Sequence, residues 1–433
     1  MRLPLELVEK IIDNFDQNID SGPGPTDEER LRRSSLRLAN NRALKNCALV
    51  SSSFLPLCRK HLFASVALFD SYTLQPKAVE NLAAALQESP EIANHVRRLC
   101  LWLHCDSKSR CPLPKALKMF SRLEFYSVYT PVTFRIRPLD FEKIGPQMRD
   151  ILLHPMPMLR SLKLNGIKNF PFYELLSCCP NLQDLQIAEL YFDKPLLANG
   201  ISPLKTIKLK SLSCGSANSN TNEEAVTMQQ ILRLQQSSGE PILDVSELVR
   251  LVVTCDTGPE WTAARTALLQ TDRLKAITLK SNETDIASLD LSGLGNLLLP
   301  SRKTLKEIQI VTDVGFNDGH DPLCGLCEEL EILGSQENAL EMLSFKLTTA
   351  SGIKFSIGSE WRKLDQVVNN FPWPMLKTIN ITIDISGLQN RDIHPESEFR
   401  SRLQNLPEKQ LPTLFTKSKK DLEFQYAILT ELY

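Results

Sequence analysis

A chain of 433 residues, 42% apolar and 23% charged, has ordinary globular composition and enough apolar side chains to bury a large core. Its formal net charge of -1 excludes a global electrostatic drive toward nucleic acid or an anionic membrane surface, so partners have to be read locally. Eleven cysteines, an odd number without regular spacing, make no disulfide framework, and no apolar run reaches the roughly 18 residues of a membrane span; free thiols and a cytoplasmic or nuclear location are expected.

The first expected element is a helix in LPLELVEKIIDNF, residues 3–15. Leu3, Leu7 and Ile11 share one face and Val8, Ile12 and Phe15 an adjacent one, while Pro4 suits the first turn and Glu6 the positive helix end. Glu6, Glu9, Lys10 and Asp13 break the continuous apolar run that a signal peptide needs. Residues 16–42 are polar, with a helix-breaking Gly-Pro cluster at 22–25; Thr26 and Glu29 have capping-box spacing, so a second helix is expected from Asp27. ALKNCALVSSSFLPLCRKHLF, residues 43–63, then carries Leu44, Cys47, Ala48, Val50, Phe54, Leu57 and Leu62 at helical intervals, with Pro56 expected to separate two short helices.

The order of residue types in these blocks resembles an F-box. Leu3, Pro4, Glu6, Leu7, Ile11 and Ile12 stand at the motif's Leu-Pro, Glu and aliphatic positions, and Val50, Ser51 and Phe54 at its later Val and aromatic positions, with Phe54 in place of the commoner Trp. VSSSFLPLCRKHLF in particular is similar to the F-box-like proteins of mushroom-forming fungi. The resemblance implies a three-helix module over residues 1–70, with 16–42 as an insertion in place of a short turn. It further implies that Leu3, Pro4, Leu7, Ile11, Val50, Phe54 and Leu57 dock on a Skp-type adaptor and, through it, on a cullin-RING ubiquitin ligase.

Residues 71–433 repeat a pattern of apolar, two residues, apolar, one residue, apolar. It occurs at Val96-Leu99-Leu101, Phe120-Leu123-Phe125, Leu159-Leu162-Leu164, Leu182-Leu185-Ile187, Leu204-Ile207-Leu209, Leu248-Leu251-Val253, Leu274-Ile277-Leu279, Leu305-Ile308-Ile310, Leu340-Leu343-Phe345 and Leu376-Ile379-Ile381. The last two residues of each copy alternate like one face of a strand. Helical stretches lie between copies, such as AVENLAAALQ, TMQQILRLQQ, WTAARTALLQ, CGLCEELEIL and EWRKLDQVV; Asp321 before Pro322 reads as a helix start. A helix-strand unit cannot bury its apolar face alone, so neighbours are expected to stack around a curved parallel sheet, in an α/β architecture that resembles an irregular leucine-rich-repeat solenoid. The Ser/Asn-rich segment 213–225 is expected to be a loop, and the stretch after residue 388 a cap or tail.

Catalytic chemistry is sparse. There is no Gly-rich phosphate loop, zinc-protease His pair or nucleophile elbow, so no enzyme activity, cofactor or metal is expected. Cys324 and Cys327 near His320 lack the second ligand pair of a structural zinc site and fit a helix facing the core. Cys178-Cys179 reads as a helix end, and Trp102, Trp261, Trp361 and Trp373 as core residues or interface anchors. The expected role is a receptor: the first module binds the ligase adaptor and the repeats bind a protein substrate, the alternative being an interaction scaffold built on leucine-rich repeats without ligase activity. Strand parity would put Lys163, Lys208, Lys210, Arg250, Lys280 and Lys346 on the outward face of the sheet. Such a line either attracts an acidic or phosphorylated substrate segment or is a lysine-rich solvated face.

Overall fold

The structure, a computed structural model, describes residues 27–69, 76–103, 118–130, 138–154, 156–192, 206–215, 228–235, 239–255, 258–281, 291–314, 321–350, 357–386, 400–416 and 422–430. The chain divides into two units, Met1–Leu182 and Gln183–Tyr433. Both are mixed α/β, with parallel strands paired in chain order.

The N-terminal unit begins with helix α1 (Asp27–Val50), which ends where Ser51, Ser52 and Ser53 offer the backbone competing side-chain partners. The Ser51 and Ser53 hydroxyls lie 2.8 Å apart and the Ser53 N–H donates to Ser51 Oγ, closing the turn. Helix α2 (Leu55–Leu62) follows. The break therefore falls at the serines, and Pro56 lies inside the first turn of α2 rather than between two helices, because the first turn needs no proline N–H. Strand β1 (Ser65–Phe69) comes next, within the segment assigned to the helical module, and is followed by α3 (Pro76–Glu88), β2 (Arg98–Trp102), β3 (Phe125–Tyr129), β4 (Leu139–Asp140), α4 (Pro146–Leu152), β5 (Ser161–Lys168) and α5 (Phe172–Ser177). Strands β1, β2, β3 and β5 pair in that order and β4 joins the far half of β5.

The C-terminal unit runs β6 (Asp184–Tyr191), β7 (Ile207–Lys208), β8 (Ser211–Gly215), α6 (Met228–Leu232), β9 (Leu243–Asp244), β10 (Arg250–Thr254), α7 (Gly258–Leu269), β11 (Ala276–Ser281), α8 (Leu294–Leu298), β12 (Glu307–Val314), α9 (Leu326–Gly334), β13 (Met342–Ala350), α10 (Glu360–Asn370), β14 (Thr378–Ser386), α11 (Leu406–Gln410), α12 (Pro412–Thr416) and β15 (Glu423–Thr430). Its main sheet is ordered β6-β8-β10-β11-β12-β13-β14-β15, and β7 and β9 form a separate two-stranded ladder.

One hydrogen-bonding device recurs. The residue before a strand follows the first apolar residue of each copy, and its carbonyl accepts two successive N–H groups from the next strand's start. Lys275 accepts from Lys306 and Glu307, Lys306 from Glu341 and Met342, and Glu341 from Lys377 and Thr378; Arg97 and Glu124 do the same in the N-terminal unit. This phases the repeats and corrects two expected copies. Leu123-Tyr126-Val128 replaces Phe120-Leu123-Phe125, and Leu209-Leu212-Cys214 replaces Leu204-Ile207-Leu209, the strand residues being buried in both. Residues 213–215, expected in a loop, are the end of β8. The other eight copies have their strand pairs buried toward the helices.

Candidate functional site

The helical hairpin α1–α2 closes on Leu44 and Cys58, with Cys47, Ala48, Phe54, Leu57 and Leu62 packed against them. Burial pushes the Cys58 thiol above its ordinary pKa, and the neighbouring Cys47 adds to this, so it is an inert core group. Phe54 precedes α2: its N–H donates to the Ser51 carbonyl at 3.0 Å and its own carbonyl accepts from Cys58 N–H at 2.9 Å. Phe54 and Leu57 are half-buried in the hairpin, whereas Val50 is 75% exposed and its neighbour Leu49 87%. Leu3, Pro4, Leu7 and Ile11 lie outside the described residues. Of the expected adaptor-binding set, the structure thus brings together Val50, Phe54 and Leu57 around the α1–α2 turn.

The six cations of the expected substrate face are distributed differently. Lys163 lies on β5 in the N-terminal unit, its Nζ 5.4 Å from the centroid of Phe125. Lys208 leaves the main sheet for the β7–β9 ladder and pairs with Glu247 at 2.7 Å. This contact raises the lysine pKa and lowers that of the glutamate. The phase correction explains the move, because Leu209 is the first apolar residue of its copy and lies ahead of β8. Lys210 sits at the strand-start position, where its carbonyl accepts from Val249 and Arg250.

Arg250, Lys280 and Lys346 do lie on strands β10, β11 and β13 with outward parity. Arg250 is 3.6 Å from Glu307 and Lys346 is 3.8 Å from Asp384. Burial raises the Glu307 carboxyl pKa, and Arg250 opposes that shift. Outward positions of this sheet therefore carry Glu307, Asp384 and Glu423 among the bases, and the expected basic bias becomes a mixed-charge face. Thr278, between them on β11, is buried and donates to Gln309 Oε1 at 3.3 Å.

The outward residues of the N-terminal unit include a group that the repeat pattern did not single out. Trp102 and Tyr129 occupy the same register position on β2 and β3, with ring centroids 4.3 Å apart and planes tilted by 54°. Arg98 lies over the Phe125 ring at 4.4 Å. Trp, Tyr and Arg are the residue types most often found at the energetic centres of protein interfaces. The alternation in RLCLW and FYSVY is the sequence signal for them, and in FYSVY it is hidden when the second copy is phased from Phe120.

Groups that looked like chemistry are packed. Cys327 is buried and its thiol donates to the Glu360 carbonyl at 3.3 Å, with its pKa raised by burial and by nearby acids, whereas Cys324 is exposed. His320 lies outside the described residues. Cys179 is buried and pushed up to about 12 by desolvation, with Cys178 adding to the shift. The Asp321 carboxylate accepts from Leu323 N–H and from Gly358 N–H, each at 3.0 Å, so it joins the turn ahead of α9 to the next repeat; the helix itself starts only at Leu326, because residues 322–325 form a turn, and not at the expected Asp321-Pro322 pair. Trp361 is fully buried, and Trp373 donates to the Val367 carbonyl at 3.2 Å. Among the described residues no group of three His, Cys, Asp or Glu side chains is placed to hold a metal ion, and no helix is long and apolar enough to cross a membrane. A scan against protein-family models and a search of curated proteins both return no match.

Proposed function

We propose that the chain is a non-catalytic substrate receptor of a cullin-RING ubiquitin ligase. Residues 3–63 would form an F-box-like module that docks on a Skp-type adaptor. The strand-helix repeats, taken as an irregular leucine-rich-repeat solenoid, would hold a protein substrate on the outward faces of their strands. The observation that carries this reading is the F-box-like order of residue types from Leu3 to Phe54. The hairpin supports it: Leu44 and Cys58 hold α1 against α2, while Leu49 and Val50 stay in solvent at the helix end, where an apolar pair has a use once a partner covers it. Catalysis lies with the ligase; this chain acts by position, raising the effective concentration of a substrate lysine near the conjugating enzyme.

The test is binding of the full chain to a purified Skp-type adaptor. Truncating interface anchors costs about 2 kcal/mol or more, roughly 30-fold in affinity. Leu7→Ala with Phe54→Ala should therefore abolish capture, with circular dichroism as the check on folding because Phe54 also packs in the hairpin. Wild-type affinity in a folded double variant would sink the docking assignment. Adaptor binding without ubiquitin transfer to a co-purified substrate in a reconstituted ligase would leave an interaction scaffold.

A further inference from the structure

Strand β15 pairs on one side with β14, and among the described residues no strand lies on its other side. The cost of that open edge shows in the core. Ile379, Ile381 and Ile383 on β14 are 0–1% exposed, whereas their register partners Phe424, Tyr426 and Ile428 on β15 are only half-buried, and Leu429 is 46% exposed. Edge strands are normally blunted by lysine, proline, a bulge or inward charge. β15 reads EFQYAILT: after Glu423 it has no charge, proline or glycine, and its seven remaining residues have the composition of a segment that pairs readily with another strand.

The hydrogen-bonding polarity of the edge can be worked out. Glu423 N–H donates to the Lys377 carbonyl, so Glu423, Gln425, Ala427 and Leu429 turn their backbone groups toward β14. Phe424, Tyr426 and Ile428 turn theirs to the open side. These are also the side chains that face the helices, as the Tyr426 hydroxyl shows by donating to the Leu403 carbonyl at 2.8 Å. Antiparallel registers two residues apart satisfy both sets in a two-fold pair of identical strands, and the one centred on Tyr426 pairs every residue from Glu423 to Leu429. Tyr426 faces the partner's Tyr426, and Phe424 faces the partner's Ile428. Each such pairing exchanges two N–H···O bonds and continues the apolar face. On the other face Gln425 meets the partner's Ala427 and Glu423 meets the partner's Leu429, so no charge opposes a like charge. A register slipped by one residue would put core-facing side chains against solvent-facing ones.

We propose that the β15 edge is a self-association site, at which a second copy of this chain adds its own β15 antiparallel and centred on Tyr426. The register makes Leu429 the diagnostic position, since it is exposed and a charge there leaves the fold intact. Sedimentation velocity of the full chain across a concentration series should show a reversible species of twice the 48.9 kDa chain mass. Leu429→Glu, which opposes the partner's Glu423 twice per dimer, should raise the dimer dissociation constant about tenfold, and Leu429→Lys should lower it. Adding Glu423→Lys to Leu429→Glu should restore association. Ile428→Pro removes an N–H that β14 does not use and should leave a monomer with an unchanged circular dichroism spectrum. A wild-type chain that stays monomeric at every concentration overturns the proposal. So does a dimer that responds equally to Leu429→Glu and Leu429→Lys.

Discussion

Two buried positions show how single residues hold successive repeats together. Glu329 on α9 reaches back to the start of α8, where its carboxylate accepts from Gly293 N–H at 2.8 Å and Gly295 N–H at 2.7 Å. A short helix buried at its N-terminus needs such an acceptor, because its first N–H groups have no partner within the helix. Glu329→Ala should cost roughly 1–3 kcal/mol, readable as a lower urea midpoint with an unchanged slope. Gly295 is small for the same packing reason: a Cβ there would lie 2.5 Å from the Glu329 carbonyl and 2.9 Å from Ile332 Cβ. Gly295→Ala should therefore destabilise by about 1–3 kcal/mol despite alanine's better helix propensity. Glu341 provides the pH-dependent case. Lys306 at 2.6 Å and Lys377 at 2.8 Å bind its two oxygens and pull its pKa down to about 2. A depressed carboxylate contributes stability that is present above its unfolded pKa and lost as pH falls through the folded value. The stability difference between wild type and Glu341→Gln should thus be largest at neutral pH and close as pH falls from about 5 toward 2; a gap independent of pH would refute the pairing.

At the scale of elements, caps supplied from a neighbouring repeat do what local sequence does in isolated helices. Helix α12 begins with Pro412, which has no N–H to satisfy, and the next donors, Thr413 and Leu414, go to the buried Asp365 of α10 at 3.2 and 2.8 Å. Asp365→Ala would leave both N–H groups unpaired and should cost roughly 1–3 kcal/mol, with the loss seen first as faster amide exchange in α12. The α1–α2 hairpin depends instead on packing. Leu44→Ala removes one of its two buried side chains and should cost about 2–5 kcal/mol of local stability, detectable as protease sensitivity between Val50 and Leu55.

Across the whole molecule, the repeats of each unit are coupled mainly to their sequence neighbours, so stability should vary along the sheet of the C-terminal unit. Strands β12 and β13 have parallel partners on both sides, whereas β15 has one among the described residues. In native-state hydrogen exchange at dilute concentration, amides of β12 and β13 should open only near the global unfolding energy, and those of Phe424, Tyr426 and Ile428 far below it.

Much of the strand phase was legible because it is a local property. An apolar turn residue followed by an alternating pair identifies a strand whose one face is buried, and eight copies have that phase in the structure. The two misphased copies had overlapping matches. FSRLEFYSV fits the pattern from Phe120 and from Leu123, and only the carbonyl of Arg97, accepting from Glu124 and Phe125, fixes the second. Residues 213–215 of β8 read as loop because Ser213 and Gly215 look like linker composition unless Leu212 and Cys214 are known to be buried. The sequence by itself determined the alternation of helix and strand and, in eight of the ten copies, which strand residues are buried, since each follows from side chains a few residues apart. Tertiary structure alone decided the Glu329 and Asp365 caps, the pairing of Arg250 with Glu307 and of Lys346 with Asp384, and the open edge at β15. Those join residues tens of positions apart, and which partner a charge or an N–H group meets depends on the stacking of repeats rather than on its chain neighbours.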